Sequence, residues 1–393
     1  MSLVKKHILP IIVLAQFSCT SLWFASNAVM SDLVKNFGLK ETAIGDLTSS
    51  VQFGFISGTL IYALLAIADR FSPSKVFLVS ALLGAAFNVT LIWNGNTLPS
   101  MLVIRFLTGF FLAGIYPVGM KIAADYYDKG LGKSLGFLVG ALVIGTAFPH
   151  LLKSFSDWLS WKYVVLCTSA LATFGGLLMV FLVPDGPHRK PSQGVDKKVF
   201  SILFKNKELR SAAFGYFGHM WELYAFWAFT PLLLQTYTLI HPQTVFAIPT
   251  LSFLIIGIGG LGCVLSGYLS QKFGTRTVAF IALLLSCICC LASPFVFQTE
   301  SANLFIAFLL FWGVVVVADS PLLSTLIAEN AAAEIKGTAL TIINCLGFIV
   351  TIFSIQLIST LSTYTNSNII YLCLAVGPVI GLLALRKKLD STR

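Results

Sequence analysis

Twelve stretches of the chain stay apolar for about twenty residues each, the length a helix needs to cross a bilayer core. They run at 8–30, 44–67, 75–93, 99–121, 133–153, 162–183, 209–235, 246–269, 276–297, 303–327, 337–360 and 367–385. Each ends at charges, at Pro, Gly or Asn turns, or at interfacial aromatics. Composition agrees: 57% of the 393 residues are hydrophobic and 11% charged, against about 45–50% apolar and about 25% charged in soluble domains. The expected fold is an all-α membrane protein of twelve transmembrane helices. Its first stretch has the length of a span rather than of a cleavable signal core. All eight cysteines fall inside apolar runs and read as packing residues, with no metal or disulfide role expected.

An even number of spans puts both termini on one side, and the basic residues say which. With the N-terminus inside, the cytoplasmic segments hold Lys5, Lys6, Arg70, Lys75, Lys121, Lys129, Lys133, the cluster from Arg189 to Arg210, Lys272, Arg276, Lys336, Arg386, Lys387, Lys388 and Arg393. The opposite face has only Lys35, Lys40, Lys153 and Lys162, while Arg105 lies within a span. The net charge of +10 therefore reports topology and calls for no nucleic-acid partner. Both termini are expected in the cytoplasm.

The most hydrophilic stretch, Pro184 to Lys207, divides the chain into an N-terminal six-helix bundle (1–183), a cytoplasmic linker (184–208) and a C-terminal six-helix bundle (209–393). The expected architecture is pseudo-symmetric, because the halves resemble each other at an offset of about 204 residues. Ile67-Ala-Asp-Arg-Phe-Ser72 aligns with Leu269-Ser-Gln-Lys-Phe-Gly274, and Trp23 with Trp227. Gly109, Gly114 and Pro117 of segment 4 match Gly313, Ala318 and Pro321 of segment 10. A parallel repeat of this kind, with solute held at the interface of the halves near the midplane, is a transporter plan.

Segments 2 and 3 are joined by Asp69-Arg70 followed by Lys75. Segments 8 and 9 are joined by Gly267-Tyr-Leu-Ser-Gln271-Lys272-Phe-Gly274-Thr-Arg276. Both turns are similar to the G-x-x-x-D-R-x-G-R-R/K signature of the major facilitator superfamily, which the chain resembles over essentially its whole length. The first copy has Leu65 and Ser72 in place of the glycines, and the second has Gln271 in place of the acid. Arg105-Phe-Leu-Thr-Gly109 is similar to the family's R-x-x-x-G motif. Gly136, Gly140 and Gly145 with Pro149 are similar to its glycine-rich fifth helix. The resemblance implies a cytoplasmic gate in which Asp69 is the latch and Arg70 its local partner. Lys75, Gly267, Lys272 and Arg276 complete the two copies. It also implies a bacterial inner membrane protein close to the anion-porter branches, acting as a monomer.

Charges deep in a span are costly and mark pathways or partners. Arg105, His219, Glu222 and Asp319 sit that deep, whereas Asp46, His150, Lys121 and Asp125 lie nearer the span ends and read as interfacial. Arg105 lies about 9 Å into segment 4 at the helical rise and must meet an anion, either a protein carboxylate or the solute. His219 and Glu222 are three residues apart on segment 7 and share a face, so they read as a proton-binding pair. Asp319 precedes Pro321, whose ring frees backbone carbonyls near it. Trp23, Asn27, Gln16, Gln52 and Asn344 add neutral hydrogen-bonding groups, and Tyr116 and Tyr224 are candidate cavity aromatics.

Nothing in the sequence has the form of a nucleotide-binding G-x-x-x-x-G-K-[ST] loop, and His219-Met-Trp-Glu222 is not an H-E-x-x-H metal motif. The expectation is a secondary active transporter, not an enzyme, needing no cofactor. It would work by alternating access and couple protons to symport of a small anionic solute. Proton-coupled antiport exporting a drug or metabolite is the alternative.

Overall fold

The computed structural model describes residues 3–127, 131–155, 160–189, 205–332, 335–365 and 368–386. Lys129, most of the linker, Lys387, Lys388 and Arg393 lie outside these residues, as do the side chains of Lys5, Lys6 and Lys133. The described residues are almost entirely helical, and eleven of their helices are long and apolar enough to cross a membrane. The chain divides into two compact units, Met1–Gly194 and Val195–Arg393.

The twelfth expected span is the first in the chain, and it departs from an unbroken 8–30 helix. It forms the helix Leu3–Thr20, a turn, and the short helices Ala25–Ala28 and Met30–Phe37. The break has a local cause. Thr20 Oγ1 donates to the Gln16 and Phe17 carbonyls and Ser21 Oγ to that of Ser18, so hydroxyls compete for carbonyls of the last turn.

Segments 4 and 10 each break once, at matching places. Leu98–Leu112 gives way to Tyr116–Tyr126, and Ala302–Ala318 to Ser320–Asn330, with Pro117 and Pro321 in the first turn after each break. Proline tolerates the first turn of a helix and not its interior, so one residue type restarts both.

The sequence repeat is also visible as packing. A Cβ on Gly109 would strike the Val51 carbonyl, and one on Gly313 the Ile255 carbonyl. A Cβ on Gly58 would strike the Phe110 carbonyl, and one on Gly262 that of Val314. In each unit the second and fourth segments thus meet backbone to backbone at equivalent residues, an approach only glycine allows.

Candidate functional site

Two buried polar clusters carry the charges that the sequence places inside the membrane, one in each unit. In the first unit Arg105 is fully buried on Leu98–Leu112. Its Nη1 donates to the Leu22 carbonyl at 3.1 Å and to Asn88 Oδ1 at 3.3 Å, and its Nη2 to the Trp23 carbonyl. Those carbonyls lie in the turn where the first segment unwinds. The guanidinium therefore caps a broken helix, whose carbonyl end carries partial negative charge. Asn88 is held in turn, its amide nitrogen donating to Thr168 Oγ1 at 3.2 Å, Ser169 Oγ at 2.9 Å and the Val165 carbonyl at 3.3 Å.

Of the two anions expected for Arg105, the protein carboxylate is therefore corrected. Among the described residues no carboxylate touches it. Backbone dipoles and one amide oxygen take the place of a counter-ion.

The neutral groups of the same unit lie nearby on the first two segments. Trp23 Nε1 donates to Gln52 Oε1 at 3.2 Å, with the ring 4.8 Å from that of Phe55. Asn27 Nδ2 donates to Thr48 Oγ1 at 2.8 Å. Gln16 is buried against Gly119, and neither of its amide atoms has a hydrogen-bond partner. Tyr116 opens the helix after the break and is half-buried.

In the second unit segment 7 is the long helix Lys207–Ile240, started by Asn206, whose Oδ1 accepts from the amides of Glu208 and Leu209. Its residues His219 and Glu222 are both buried, but no hydrogen bond joins them. The pairing read from their spacing is corrected: each meets segment 10 separately. Glu222 Oε1 accepts from Trp312 Nε1 at 2.6 Å, and from segment 9 it accepts Ser286 Oγ at 2.6 Å and Cys290 Sγ at 3.2 Å. His219 Nδ1 lies 2.8 Å from Asp319 Oδ1. That contact is close enough for an ion pair, yet it is off the axis of a hydrogen bond. Both Asp319 oxygens and His219 Nε2 are left without a hydrogen-bond partner.

Asp319 sits at the break of segment 10, its carbonyl accepting the amides of Leu322 and Leu323. Around the pair, Tyr216 donates its hydroxyl to Asn344 Oδ1, and its ring lies 6.1 Å from that of His219. Tyr224 is buried between Trp227 and Phe348, with ring centroids at 5.3 and 5.2 Å.

Three members of this cluster were not read from the sequence. Ser286, Cys290 and Trp312 look like ordinary apolar-helix residues, although the first two are four apart and so share a face.

The two signature turns are also built differently. Asp69 Oδ1 pairs with Lys121 Nζ at 2.9 Å, and Lys121 reaches Asp125 Oδ1 at 3.6 Å. Arg70 is exposed and, among the described residues, is not the partner of Asp69, which corrects the local pairing. Lys75 is exposed as well. Lys121 and Asp125 belong to this network rather than to solvent. Arg189, at the start of the linker, donates to the carbonyls of Asp69 and Phe71 and pairs with Asp185 at 2.8 Å.

In the second turn Arg276 Nη1 pairs with Glu208 Oε2 at 2.9 Å, and its Nη2 donates to Ser211 Oγ at 2.6 Å. Its Nε and Nη2 donate to the Leu385 carbonyl. Lys272 is exposed, its Nζ 5.3 Å over the Phe273 ring. A Cβ on Gly267 would meet nothing within 4 Å, so close packing does not require glycine there.

With this geometry in place, the comparisons agree on family and fold. A profile of the Major Facilitator Superfamily matches residues 12–355. The chain is 26% identical over 215 residues to the Efflux pump FUB11 of Gibberella moniliformis, covering 51% of this chain and 36% of that protein. It is 22% identical over 246 residues to the 4-hydroxybenzoate transporter PcaK of Acinetobacter baylyi, covering 52% of each. The matched part is thus less than two thirds of either relative. Among solved structures, a bacterial homolog to the human lysosomal transporter Spinster has a TM-score of 0.76 at 14% identity, over 99% of this chain and 98% of that one. The proton:xylose symporter XylE has a TM-score of 0.74 at 15% identity, over 98% and 97%. At such identities the likeness is one of fold.

Proposed function

Because the chain belongs to the Major Facilitator Superfamily, and so is a multi-pass membrane transporter and not an enzyme, we propose that it is a proton-coupled secondary active transporter. The observation that carries the coupling is the buried cluster of His219, Glu222 and Asp319, in which the Asp319 oxygens and His219 Nε2 have no hydrogen-bond partner. A buried carboxyl and imidazole lying together, with bonding capacity unused, can take up and release a proton without dismantling the fold. Alternating access of two six-helix bundles, 1–183 and 209–393, is the motion the family implies. The charge asymmetry of the loops supports both ends in the cytoplasm, and a monomer in a bacterial plasma membrane is what the family resemblance implies.

The solute in this reading is a small organic anion moved in symport with the proton. PcaK, named for the carboxylate 4-hydroxybenzoate, supports it. Arg105 adds little to it, since both terminal nitrogens are taken up by the Leu22 and Trp23 carbonyls and Asn88. A second reading, proton-coupled export of a cationic or amphipathic compound, draws on the two buried carboxyls of the second unit and on the similarity to an efflux pump.

A thermal-shift screen of the purified protein against aromatic and aliphatic carboxylates and against lipophilic cations separates the two. Stabilisation by carboxylates alone is expected. Stabilisation by lipophilic cations alone would replace symport of an anion with export. Uptake of the selected solute into proteoliposomes should then stop when the pH gradient is dissipated, and uptake that continues unchanged would remove the coupling.

A further inference from the structure

Segment 7 presents two ionisable groups one helical turn apart, and segment 10 receives them differently. Glu222 is held by three donors that converge on a single oxygen, Oε1. Asp319, which acts electrostatically on Glu222, has no hydrogen bond on either oxygen and only His219 Nδ1 at 2.8 Å. Protonation of Glu222 weakens three donor contacts to its charged form, whichever oxygen takes the proton. Protonation of Asp319 gives up only its contact with His219. Trp312 and Asp319 are seven residues apart and so lie on one face of segment 10, which lets one helix hold the first acid and leave the second open.

We propose that Trp312 and Ser286 are positioning residues that fix Glu222 through one oxygen, so that the coupling proton exchanges at the His219–Asp319 pair instead. The assignment rests on the proton-coupled reading above and divides its cluster into a fixed acid and an exchanging one. Besides Asp319, the titratable groups acting on Glu222 are Cys287, Cys289 and Cys290 on segment 9, and Cys263 on segment 8 faces Asp319. The helix carrying Trp312, Ala302–Ala318, has no ionisable side chain. Segments 11 and 12 contribute Cys345, Tyr364, Tyr371 and Cys373, and no Asp, Glu, Lys, Arg or His between Lys336 and Arg386.

Infrared difference spectroscopy on the full chain in lipid nanodiscs, titrated with pH and without added solute, tests this. The C=O band of each protonated carboxyl is assigned by its loss in Asp319→Asn or Glu222→Gln. In the wild type the titrating band should vanish in Asp319→Asn and survive in Glu222→Gln.

In Ser286→Ala, and in Trp312→Phe, a second titrating band that depends on Glu222 and is absent from the wild type should appear, because a lost donor no longer favours the charged carboxylate. Ser286→Thr, which keeps the hydroxyl, should restore the wild-type titration. If Trp312→Phe does not fold, Ser286→Ala decides alone. A wild-type titrating band that Glu222→Gln abolishes overturns the proposal, as does a Ser286→Ala titration identical to the wild type. Uptake insensitive to the pH gradient would instead sink the coupling reading, with the infrared assignment left intact.

Discussion

Arg105 and the His219–Asp319 pair are both ionisable groups buried inside membrane helices, and they are accommodated in different ways. Arg105 cannot lose its proton; its two terminal nitrogens donate to the Leu22 and Trp23 carbonyls and to Asn88, and its Nε alone has no hydrogen-bond partner. The pair in the second unit can change protonation state, and all four of its polar atoms, the Asp319 oxygens and the His219 nitrogens, have no hydrogen-bond partner beyond the 2.8 Å contact between them. A fixed charge whose terminal nitrogens are held by two carbonyls and an amide oxygen builds structure. Titratable groups left partly unengaged are equipped for exchange. Depth in the membrane alone does not separate the two; the partners do.

The contrast breaks most visibly at Arg105. Arg105→Met would orphan two buried carbonyls and one amide oxygen at a cost of roughly 1–3 kcal/mol each, so the protein should give little monodisperse material and unfold at a clearly lower temperature. If the variant folded normally and lost only solute binding, Arg105 would be an anion receptor after all.

Asp319→Asn is next. It should fold, retain exchange of solute at equal pH, and lose proton-driven accumulation by about tenfold or more, the scale of an essential charge-assisted contact. Glu222→Gln should do less, because the amide oxygen can still accept from Ser286, Trp312 and Cys290. A fall in accumulation of about threefold is expected, equivalent to a bond weakened by under 1 kcal/mol. Accumulation reduced as far as in Asp319→Asn would merge the two acids into one site.

The smallest effect belongs to the cytoplasmic turn. Lys121 and Asp69 are partly exposed, so Lys121→Ala should cost about 1 kcal/mol or less and slow transport a few-fold without loss of solute binding in a filter assay. A binding defect with normal turnover would contradict that.

Much of this could be read from the sequence, and the exceptions share one cause. The length of each apolar stretch fixed most of the helices, and the repeat predicted equivalent residues that now appear as matched contacts, Gly109 on Val51 and Gly313 on Ile255. The break in the first segment was not legible. Hydroxyls at Thr20 and Ser21 favour it, but Arg105 completes it from more than eighty residues away along the chain.

Spacing of three residues also placed His219 and Glu222 together, since helical periodicity reports a shared face and not the partner opposite. Which side chain turns to Trp312 and which to Asp319 is decided by segment 10. Asp69 follows the same rule: its neighbour Arg70 was the local candidate, and the ion pair formed instead with Lys121 on another helix.

The central claim is that the buried pair in the second unit carries the coupling proton. Its most direct test is uptake, into proteoliposomes with an imposed pH gradient, of the solute selected by thermal shift, comparing the wild type with Asp319→Asn. The wild type should accumulate that solute above its external concentration, while Asp319→Asn should only equilibrate it. Accumulation by Asp319→Asn equal to that of the wild type would contradict the account.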